Sequence, residues 1–431
     1  MELLVAIFGK HTKKSKIEKQ VNKAGGTLLH LLPEVGIALI GTYDPAFSDN
    51  LRKGKVVEEL GGLAYHLLSE PQITPAPSTS NDIALPTAED TAYASAQWSI
   101  RRVGADAAWT VTSGSHDTVV AVLDTGVADD HPDLAPNLVH KACFSMGSLS
   151  GTGSCSVYPD IHWHGTHAAG LVGGAFGGGT TVGVGPNLGL ASYNVFELIR
   201  LADGTPRVVA YDYAIWAALI DAANRGYSVA NMSFGSAFDI KETTEGKLTW
   251  KAWKRVSKYA AKKDVLMVAA AGNDGLLLEG NFKHVPSDLP KVVAVGASGI
   301  RPAPIFPQPG VYDERTYYSN HGESIDLLAP GGDWGLSGSG YPGYKYLIYG
   351  PYAGVWPGCA ATRTCTIGYV YTAGTSMAAP HVAGAAGLLR DAKPWLSAKK
   401  VSKLLKKNAI PVAPDSENGA GVVDVAAALG L

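Results

Sequence analysis

The first 68 residues alternate short apolar segments with two amphipathic segments. Apolar and β-branched runs predict strands, whereas apolar positions at helical spacing predict helices. The predicted order is a strand at Leu3–Phe8, a helix at Ser15–Ala24, strands at Thr27–Leu32 and Val35–Ile40, a helix at Ala46–Lys53 and a strand at Leu63–Leu68. This β-α-β-β-α-β order is typical of a ferredoxin-like α+β unit. We therefore predict a small first domain over residues 1–70.

Residues 71–96 show no hydrophobic period and are rich in Pro, Ser, Thr and Ala. Such a segment buries little apolar surface and predicts an exposed linker. Exposed linkers are preferred sites of proteolytic cleavage. Any cut that separates the first domain from the rest is therefore expected within residues 69–96.

From Gln97 onward, apolar runs of strand length alternate with helical patterns, which predicts an α/β domain with a mostly parallel sheet over residues 97–431. The predicted strands are Thr118–Leu123, Gly189–Phe196, Ser228–Ser233, Val265–Ala270, Val292–Ala297 and Ile325–Leu328. The predicted helices are Ala210–Ala223, Lys251–Lys262, Pro380–Leu389 and Ser397–Lys406.

Composition narrows the class of protein without naming a function. A chain of 431 residues with 46% hydrophobic and 17% charged residues suits a soluble globular protein of two or three domains. A net charge of −2 gives no reason to expect a nucleic acid or an anionic membrane as partner. No apolar run approaches the ~18–20 residues of a membrane span. The apolar start Leu3–Phe8 is shorter than a signal-peptide core and has no basic segment before it.

The four cysteines fall into two local pairs, Cys143 with Cys155 and Cys359 with Cys365, each in a Gly- and Ser-rich stretch. Two disulfides within surface loops would imply an oxidising compartment, whereas four reduced thiols would imply a reducing one. No C-x-x-C motif occurs, so a cysteine-bound zinc ion is not expected.

Three short segments carry the chemistry. Asp124 follows a predicted buried strand, His164 stands in a string of three histidines with His162 and His167, and Ser376 lies where a strand leads into a helix. A serine hydroxyl becomes a nucleophile when an imidazole takes its proton, and a carboxylate fixes the tautomer of that imidazole. Taken singly, Asp124 would suit a helix cap and the histidines a zinc site, although the H-E-x-x-H motif is absent.

Together these segments resemble the subtilisin-like serine proteases. The strings Val122–Gly126, His164–His167 and Gly374–Pro380 occur in the chain order Asp, His, Ser, which is the order of that family. The resemblance implies a three-layer subtilisin-like fold and a secreted serine endopeptidase that works through an acyl-enzyme. It assigns Ser376 as nucleophile, His164 as general base and Asp124 as the residue that orients His164.

The resemblance extends to the oxyanion hole and to the substrate groove. Asn273, in the segment Ala269–Gly275, is implied as the side-chain donor to the oxyanion, although a turn residue would also suit that sequence. The residues implied as groove walls and pocket are Ser233, Phe234, Gly235, Ala270, Ala271 and Gly272. Residues 203–205 resemble, less specifically, the opposite side of the groove.

The chemistry of this family requires no cofactor, but a structural calcium ion is common in it. Asp133, in His131–Leu134, resembles a calcium ligand of many members. The facing loop Phe176–Thr181 lacks the expected Asn, and Ca²⁺ needs about six to eight oxygen ligands. The sequence therefore implies a site at Asp133 that is weakened or lost.

The resemblance also gives the first domain a role. A ferredoxin-like unit before the catalytic domain is similar to an inhibitory prodomain that assists folding and is then cut off, although an unrelated accessory domain is the alternative. We expect polypeptide substrates, inhibition by the chain's own prodomain, and a monomer. Two insertions, one between Asp124 and His164 and one over residues 332–371, decorate the expected fold. An inactive binding protein and an ester hydrolase of the same fold are the alternative functions, and an intracellular location is the alternative to secretion.

Overall fold

The structure is a computed structural model, and it describes residues 1–54, 56–68, 73–75, 97–151, 155, 160–201, 203–301, 311–334, 346–354 and 366–431. The first unit contains strands β1 (Glu2–Phe8), β2 (Gly26–Leu32), β3 (Ile37–Thr42) and β4 (Val57–Gly61), with helices α1 (Lys14–Lys23) and α2 (Phe47–Lys53). Its sheet is antiparallel in the order β2-β3-β1-β4. The predicted ferredoxin-like order is therefore confirmed.

The two faces of strand β1 serve different cores. Leu4, Ala6 and Phe8 pack beneath α1 and α2. Val5 and Ile7 point the other way and join a core that belongs to the large domain. Because side chains alternate along a strand, one short segment can contribute to both.

The position of the fourth strand differs from the prediction. Strand β4 pairs with β1 over Val57–Gly61, whereas the predicted strand Leu63–Leu68 lies outside this sheet. The adjacent Glu58 and Glu59 made residues 57–61 look too polar for a strand. In the fold, Arg255 donates to Glu58 at 2.6 Å and Lys251 donates to Glu59 at 3.1 Å, so both carboxylates meet cations of the large domain.

Residues 62–75, which we call the tail, connect the first unit to the linker. Its described parts form two short strands, β5 (Tyr65–Leu67) and β6 (Ile73–Pro75), and neither joins the sheet of the first unit. Strand β5 pairs antiparallel with β11 of the large domain, and β6 pairs antiparallel with β20.

The large domain is an α/β fold. Its strands are β7 (Val119–Asp124), β8 (Leu138–Cys143), β9 (Gly189–Asn194), β10 (Phe196–Arg200), β11 (Pro206–Tyr211), β12 (Val229–Met232), β13 (Ser236–Asp239), β14 (Leu266–Ala270), β15 (Phe282–Val285), β16 (Val292–Arg301), β17 (Val311–Arg315), β18 (Leu327–Pro330), β19 (Ile348–Gly354) and β20 (Thr366–Thr372). Its helices are α3 (Trp98–Arg102), α4 (Ala105–Ala108), α5 (Met146–Ser150), α6 (His164–Gly173), α7 (Asp212–Asn224), α8 (Thr244–Lys262), α9 (Thr375–Ala392), α10 (Ala398–Lys407), α11 (Asp415–Asn418) and α12 (Val425–Leu429), with a 3₁₀ turn at Ala135–Asn137.

The central sheet has eight strands, in the order β17-β16-β14-β12-β7-β9-β8 with β18 also paired to β16. Strands β7, β8, β9, β12, β14, β16 and β18 run parallel, and β17 is antiparallel at its edge. Helices α6 and α9 cover one face, and α7 and α8 cover the other. The predicted three-layer fold with a mostly parallel sheet is confirmed.

Two predicted helices are longer in the structure than in the sequence pattern. Helix α8 begins at Thr244, seven residues before the predicted start at Lys251, because the Thr243 side chain caps it by accepting from the Gly246 N–H at 2.9 Å. Helix α9 begins at Thr375 and contains Pro380 in its second turn. Among the described residues, no helix is both long and apolar enough to cross a membrane.

Cys143 and Cys155 have Cα atoms 5.8 Å apart, a separation that suits the predicted disulfide. Cys359 and Cys365 lie outside the described residues, as does most of the insertion over residues 332–371.

Candidate active site

Asp124 and His164 meet from two separate elements, and Ser376 lies on a helix that packs against the helix of His164. Asp124 is the last residue of β7, His164 is the first of α6, and Ser376 lies in the first turn of α9. In a parallel sheet the carboxyl ends of the strands share one edge, and functional groups gather there. The Nδ1–H of His164 donates to Asp124 Oδ1 at 2.8 Å, and both side chains are almost fully buried.

Close backbone packing sets this contact. Gly165, the second residue of α6, lies so near β7 that an added Cβ would stand 2.1 Å from the Gly126 carbonyl oxygen. Gly126 itself has φ +109°, a conformation that favours glycine. The two glycines of the strings Asp124–Gly126 and His164–His167 therefore allow the helix to start directly against the end of the strand.

The environment of His164 tunes it as a base. Burial alone would lower its pKa, but the charge of Asp124 and the hydrogen bond to it outweigh burial, so the pKa of His164 is raised above its ordinary value of 6.5. Asp124 also accepts from the Thr125 N–H at 2.8 Å through the same Oδ1. The pair is thus held in one orientation.

A buried carboxylate that the sequence analysis did not single out supports this pair. Asp160 accepts from the hydroxyls of Thr125 at 2.7 Å and Thr166 at 2.6 Å, and from the N–H groups of Thr166 and His162 at 2.8 and 2.9 Å. Burial raises the pKa of Asp160 to about 6. Thr125 in turn accepts from the Gly165 N–H at 2.9 Å. Asp160 therefore ties the end of β7 to the first turn of α6.

Asn273 is placed to donate into the site. Its side-chain oxygen accepts from the N–H and the hydroxyl of Thr375 at 2.9 and 2.8 Å, which turns its NH₂ group away from Thr375. Asn273 is exposed, and it lines the same cavity as Ser376. The Ser376 N–H lies in the first turn of α9, where N–H groups have no intrahelical acceptor.

The hydroxyl of Ser376 donates to the Ser233 carbonyl oxygen at 2.8 Å. In return, the Ser233 hydroxyl donates to the Ser376 carbonyl oxygen at 2.8 Å. The nucleophile and the groove wall are therefore joined directly, and the Ser376 side chain has to rotate to reach His164.

A cavity of about 600 Å³ adjoins Ser376. The predicted groove residues Ser233, Phe234, Gly235, Ala270 and Gly272 line it, together with Asn273 and with Tyr65, Leu67 and Leu68 of the tail. The predicted Ala271 is placed differently, because its side chain packs with Ile325, Leu328 and Val422 in a separate core. Small residues at the base of the cavity leave room for a large side chain.

The neighbouring histidines are placed as neutral residues. Burial lowers the pKa of His162 to about 4 and that of His167 to about 3, with the nearby His164 as a further cause in both cases. Within the described ranges, no group of three or more His, Cys, Asp or Glu side chains could hold a metal ion. The zinc alternative finds no support in this geometry.

Hydrogen bonds occupy one of the two carboxylate oxygens of Asp133. The Thr181 hydroxyl and N–H both donate to Oδ2 of Asp133, and the side chain is fully buried. Its Oδ1 is buried and has no hydrogen-bond partner among the described residues. Burial raises the pKa of Asp133 to about 6. A calcium ion at Asp133 stays a prediction from the family resemblance.

This α/β fold has an Asp–His pair at the carboxyl end of a central strand and a Ser in the first turn of a helix that covers the sheet. These features are those of a subtilisin-like serine protease. The sequence matches the subtilase family over residues 115–424, and the chain belongs to that family. It is 31% identical over 304 residues to a thermophilic serine proteinase of Bacillus sp. strain AK1, covering 70% of this chain and 59% of that protein. It is 30% identical over 335 residues to subtilisin BL of Lederbergia lenta, covering 78% of this chain and 98% of that protein.

A solved structure matches the fold of the whole chain. It is a mutant of the epidermin leader peptide processing serine protease of Staphylococcus aureus, with a TM-score of 0.74 and 24% sequence identity. The match covers 100% of this chain and 99% of that one, so it includes the first unit.

Proposed function

We propose that the chain is a serine endopeptidase and that residues 1–68 inhibit it until the chain cuts itself. One observation carries the proposal: the tail lies in the groove as a peptide substrate would. Strand β5 pairs with β11 on one side, and β6 pairs with β20, which ends at Thr372 shortly before Ser376. Extended peptides bind proteins in this way, by adding a strand to an exposed edge.

The strand pairing favours a peptide over a simple ester as substrate. Val209, Ala210 and Tyr211 of β11 pair with Leu67, His66 and Tyr65, and the Leu68 N–H donates to the Val208 carbonyl at 3.0 Å. These contacts use backbone amides on both sides. An ester without a peptide backbone would make none of them.

The residues of the site then take the following roles. Ser376 Oγ attacks the carbonyl carbon while its proton passes to Nε2 of His164, and Asp124 stabilises the imidazolium that forms. The carbonyl oxygen becomes an oxyanion that accepts from the Asn273 NH₂ and the Ser376 N–H. His164 gives the proton to the leaving amine, and water then hydrolyses the acyl-enzyme by the reverse sequence.

The first unit is held against the large domain as an inhibitor would be. Arg255 of α8 donates to the carbonyls of Phe8 and Val35 at 2.6 and 3.0 Å and to Glu58. Val5, Ile7 and Ile37 share a core with Trp216 of α7 and Trp253 of α8. This interface keeps the tail in the groove until residues 69–72 are cut.

The same placement narrows the expected cleavage window. Leu68 lines the cavity beside Ser376, and Ile73 is already paired with Thr372. We therefore expect self-cleavage at a bond between Leu68 and Ile73, within the broader range of residues 69–96 expected from sequence. Secretion, two disulfides and a monomeric state belong to the same proposal, since they suit an exported protease.

Incubating the purified full chain and measuring intact masses tests the proposal. We expect the 45.0 kDa chain to split between residues 68 and 73 and then to hydrolyse casein. The Ser376→Ala variant is expected to stay intact, and Ser402→Ala on α10 serves as the matched control that still matures. The same cut in Ser376→Ala, or a mature protein that leaves casein whole, would refute the proposal. Each disulfide formed lowers the mass by two hydrogens.

A further inference from the structure

A second buried Asp–His pair lies in the groove, away from Ser376. His66 of the tail is 2% exposed, and its Nε2–H donates to Asp212 Oδ1 at 2.8 Å. Its Nδ1 lies 3.0 Å from the Ser236 hydroxyl oxygen. The ring also contacts Phe234, with ring centroids 5.7 Å apart. Every face of this imidazole is therefore recognised by the large domain.

Asp212 belongs to the large domain, so it stays when the tail leaves. It is the first residue of α7 and is itself 2% exposed. Its Oδ1 also accepts from the Trp253 indole N–H at 2.8 Å, which fixes the carboxylate in the pocket. Its Oδ2 is buried and has no hydrogen-bond partner among the described residues. Without His66, this carboxylate faces the groove with unused acceptor capacity.

The other imidazole near the pocket does not neutralise Asp212. His284 is buried, and burial together with the neighbouring His66 lowers its pKa to about 3. It contacts the Ser287 hydroxyl, 2.9 Å from Nδ1, and lies against Gly235 and Gly272 of the groove. His284 is therefore neutral beside the bound tail and offers Asp212 no positive charge.

We propose that Asp212, with Ser236 and Phe234, forms a specificity pocket that selects substrates with a histidine at the position His66 occupies. The backbone register defines that position: the substrate residue that pairs with Ala210, two residues before the one whose N–H donates to Val208. The inference rests on the proposed peptidase function, and it assigns the substrate class of that same groove.

The chemistry explains why a histidine fits. A buried carboxylate needs donors, and the half-buried Ser236 hydroxyl can donate to or accept from the second ring nitrogen. Phenylalanine has a similar shape but no N–H, so it leaves Asp212 with the Trp253 N–H as its one side-chain donor among the described residues. Lysine offers a charge but no flat ring for Phe234 and no second nitrogen for Ser236. Sites built around such a hydrogen bond reject analogues that lack it.

Peptide substrates test the pocket without altering the enzyme. Peptides with the sequence of residues 61–76 would carry His, Phe or Lys at the position of His66, and the processed enzyme would be assayed for kcat/KM on each. We expect the His peptide to be cleaved about 10- to 100-fold faster than the Phe peptide. Lys is expected to fall between them. Equal rates for His and Phe, or a faster Lys peptide, would overturn the assignment.

Enzyme variants then locate the cause. Asp212→Asn keeps an oxygen for Trp253 but replaces the carboxylate. We expect it to lower the ratio of kcat/KM for the His peptide to kcat/KM for the Phe peptide to about 3 or less. Asp117→Asn is the matched control, because Asp117 is exposed just before the start of β7, at the end of that strand opposite Asp124, and it should keep the full ratio. An unchanged ratio in Asp212→Asn contradicts the proposal. A casein assay distinguishes the two proposals. If casein is cleaved but the peptides show no preference for His, only the specificity pocket is refuted. If casein is not cleaved at all, the peptidase function is refuted.

Discussion

The protein contains two buried Asp–His pairs that have similar geometry and different surroundings. In each pair an imidazole N–H donates to a carboxylate oxygen at 2.8 Å, and in each both side chains are no more than 3% exposed. Asp124 holds Nδ1 of His164, which leaves Nε2 for the hydroxyl of Ser376. Asp212 holds Nε2 of His66, and the remaining nitrogen faces Ser236. The residue that faces the second ring nitrogen, rather than the Asp–His pair itself, decides which imidazole can act as a base.

The two pairs also differ in permanence. Asp124 and His164 are both part of the large domain, so their contact survives any cut in the tail. His66 is separated from Asp212 by that cut. Asp212 then keeps the Trp253 N–H but loses the His66 donor, which leaves the vacated pocket able to accept a hydrogen bond from a new ligand. The Asp124–His164 pair is therefore suited to catalysis, whereas Asp212 is suited to binding first His66 and then a side chain of the substrate.

Replacing each imidazole by glutamine is the strongest way to break the comparison. His164→Gln removes the base and is expected to lower kcat by about 10⁶-fold on an added peptide. His66→Gln changes only the tail, so the processed enzyme should show wild-type kcat/KM on the same peptide, while its own processing slows. Intact masses of samples quenched at successive times measure self-processing, and an assay on the added peptide measures its hydrolysis. A comparable loss of peptide hydrolysis in the two variants would show that the pairs are not distinct in role.

The first pair could be predicted from sequence, and the second could not. Asp124 and His164 stand in strings specific enough to be identified without a fold. Asp212 begins a helix, where an acidic residue is an ordinary feature of the first turn, and His66 lies in a segment that resembled one more strand of the first unit. Only the pairing of β5 with β11 brings them together. Strand pairing depends on distant partners, so a local pattern does not reveal it.

Asp160 shows the same limit inside the catalytic region. It lies two residues before His162, and its immediate sequence contains no recognised catalytic motif. Its importance comes from four donors supplied by Thr125, Thr166 and His162, which converge only in the fold. A polar residue between apolar neighbours was the one available signal.

Removing the oxyanion donor is expected to lower kcat less than replacing His164, and it tests whether the catalytic pair and the Asp212 pocket act independently. Asn273→Ala is expected to lower kcat by about 10²–10³-fold, because the oxyanion then keeps only the Ser376 N–H. The His-to-Phe preference at the Asp212 pocket should be unchanged, since Asn273 contacts neither Asp212 nor Ser236 in the described structure. Glu279→Ala, exposed further along the same loop, is the control that should retain activity. A lost preference in Asn273→Ala would mean that the pocket and the reacting centre are coupled.

The smallest expected effect is a shift in pH dependence. His164 has to be neutral to accept a proton, so kcat/KM should fall as pH drops through the His164 pKa. Because Asp124 raises that pKa, the midpoint should lie above 6.5 and the rate should fall tenfold per pH unit below it. His162, His167 and His381 do not contribute, since burial lowers their pKa values to about 4, 3 and 4.

Asp160 is the group whose protonation could change the slope of the pH profile of kcat/KM on its acid side. Its pKa of about 6 lies just below the expected midpoint, so protonation of Asp160 would steepen the profile only at the acid end. Measuring kcat/KM from pH 5 to 8 on fully processed enzyme, with a peptide that has alanine at the position of His66, removes the substrate imidazole from the pH profile. A midpoint at or below 6.5 would show that Asp124 does not stabilise the charged ring of His164. The contrast between the two pairs would then rest only on the residues that face their second ring nitrogens.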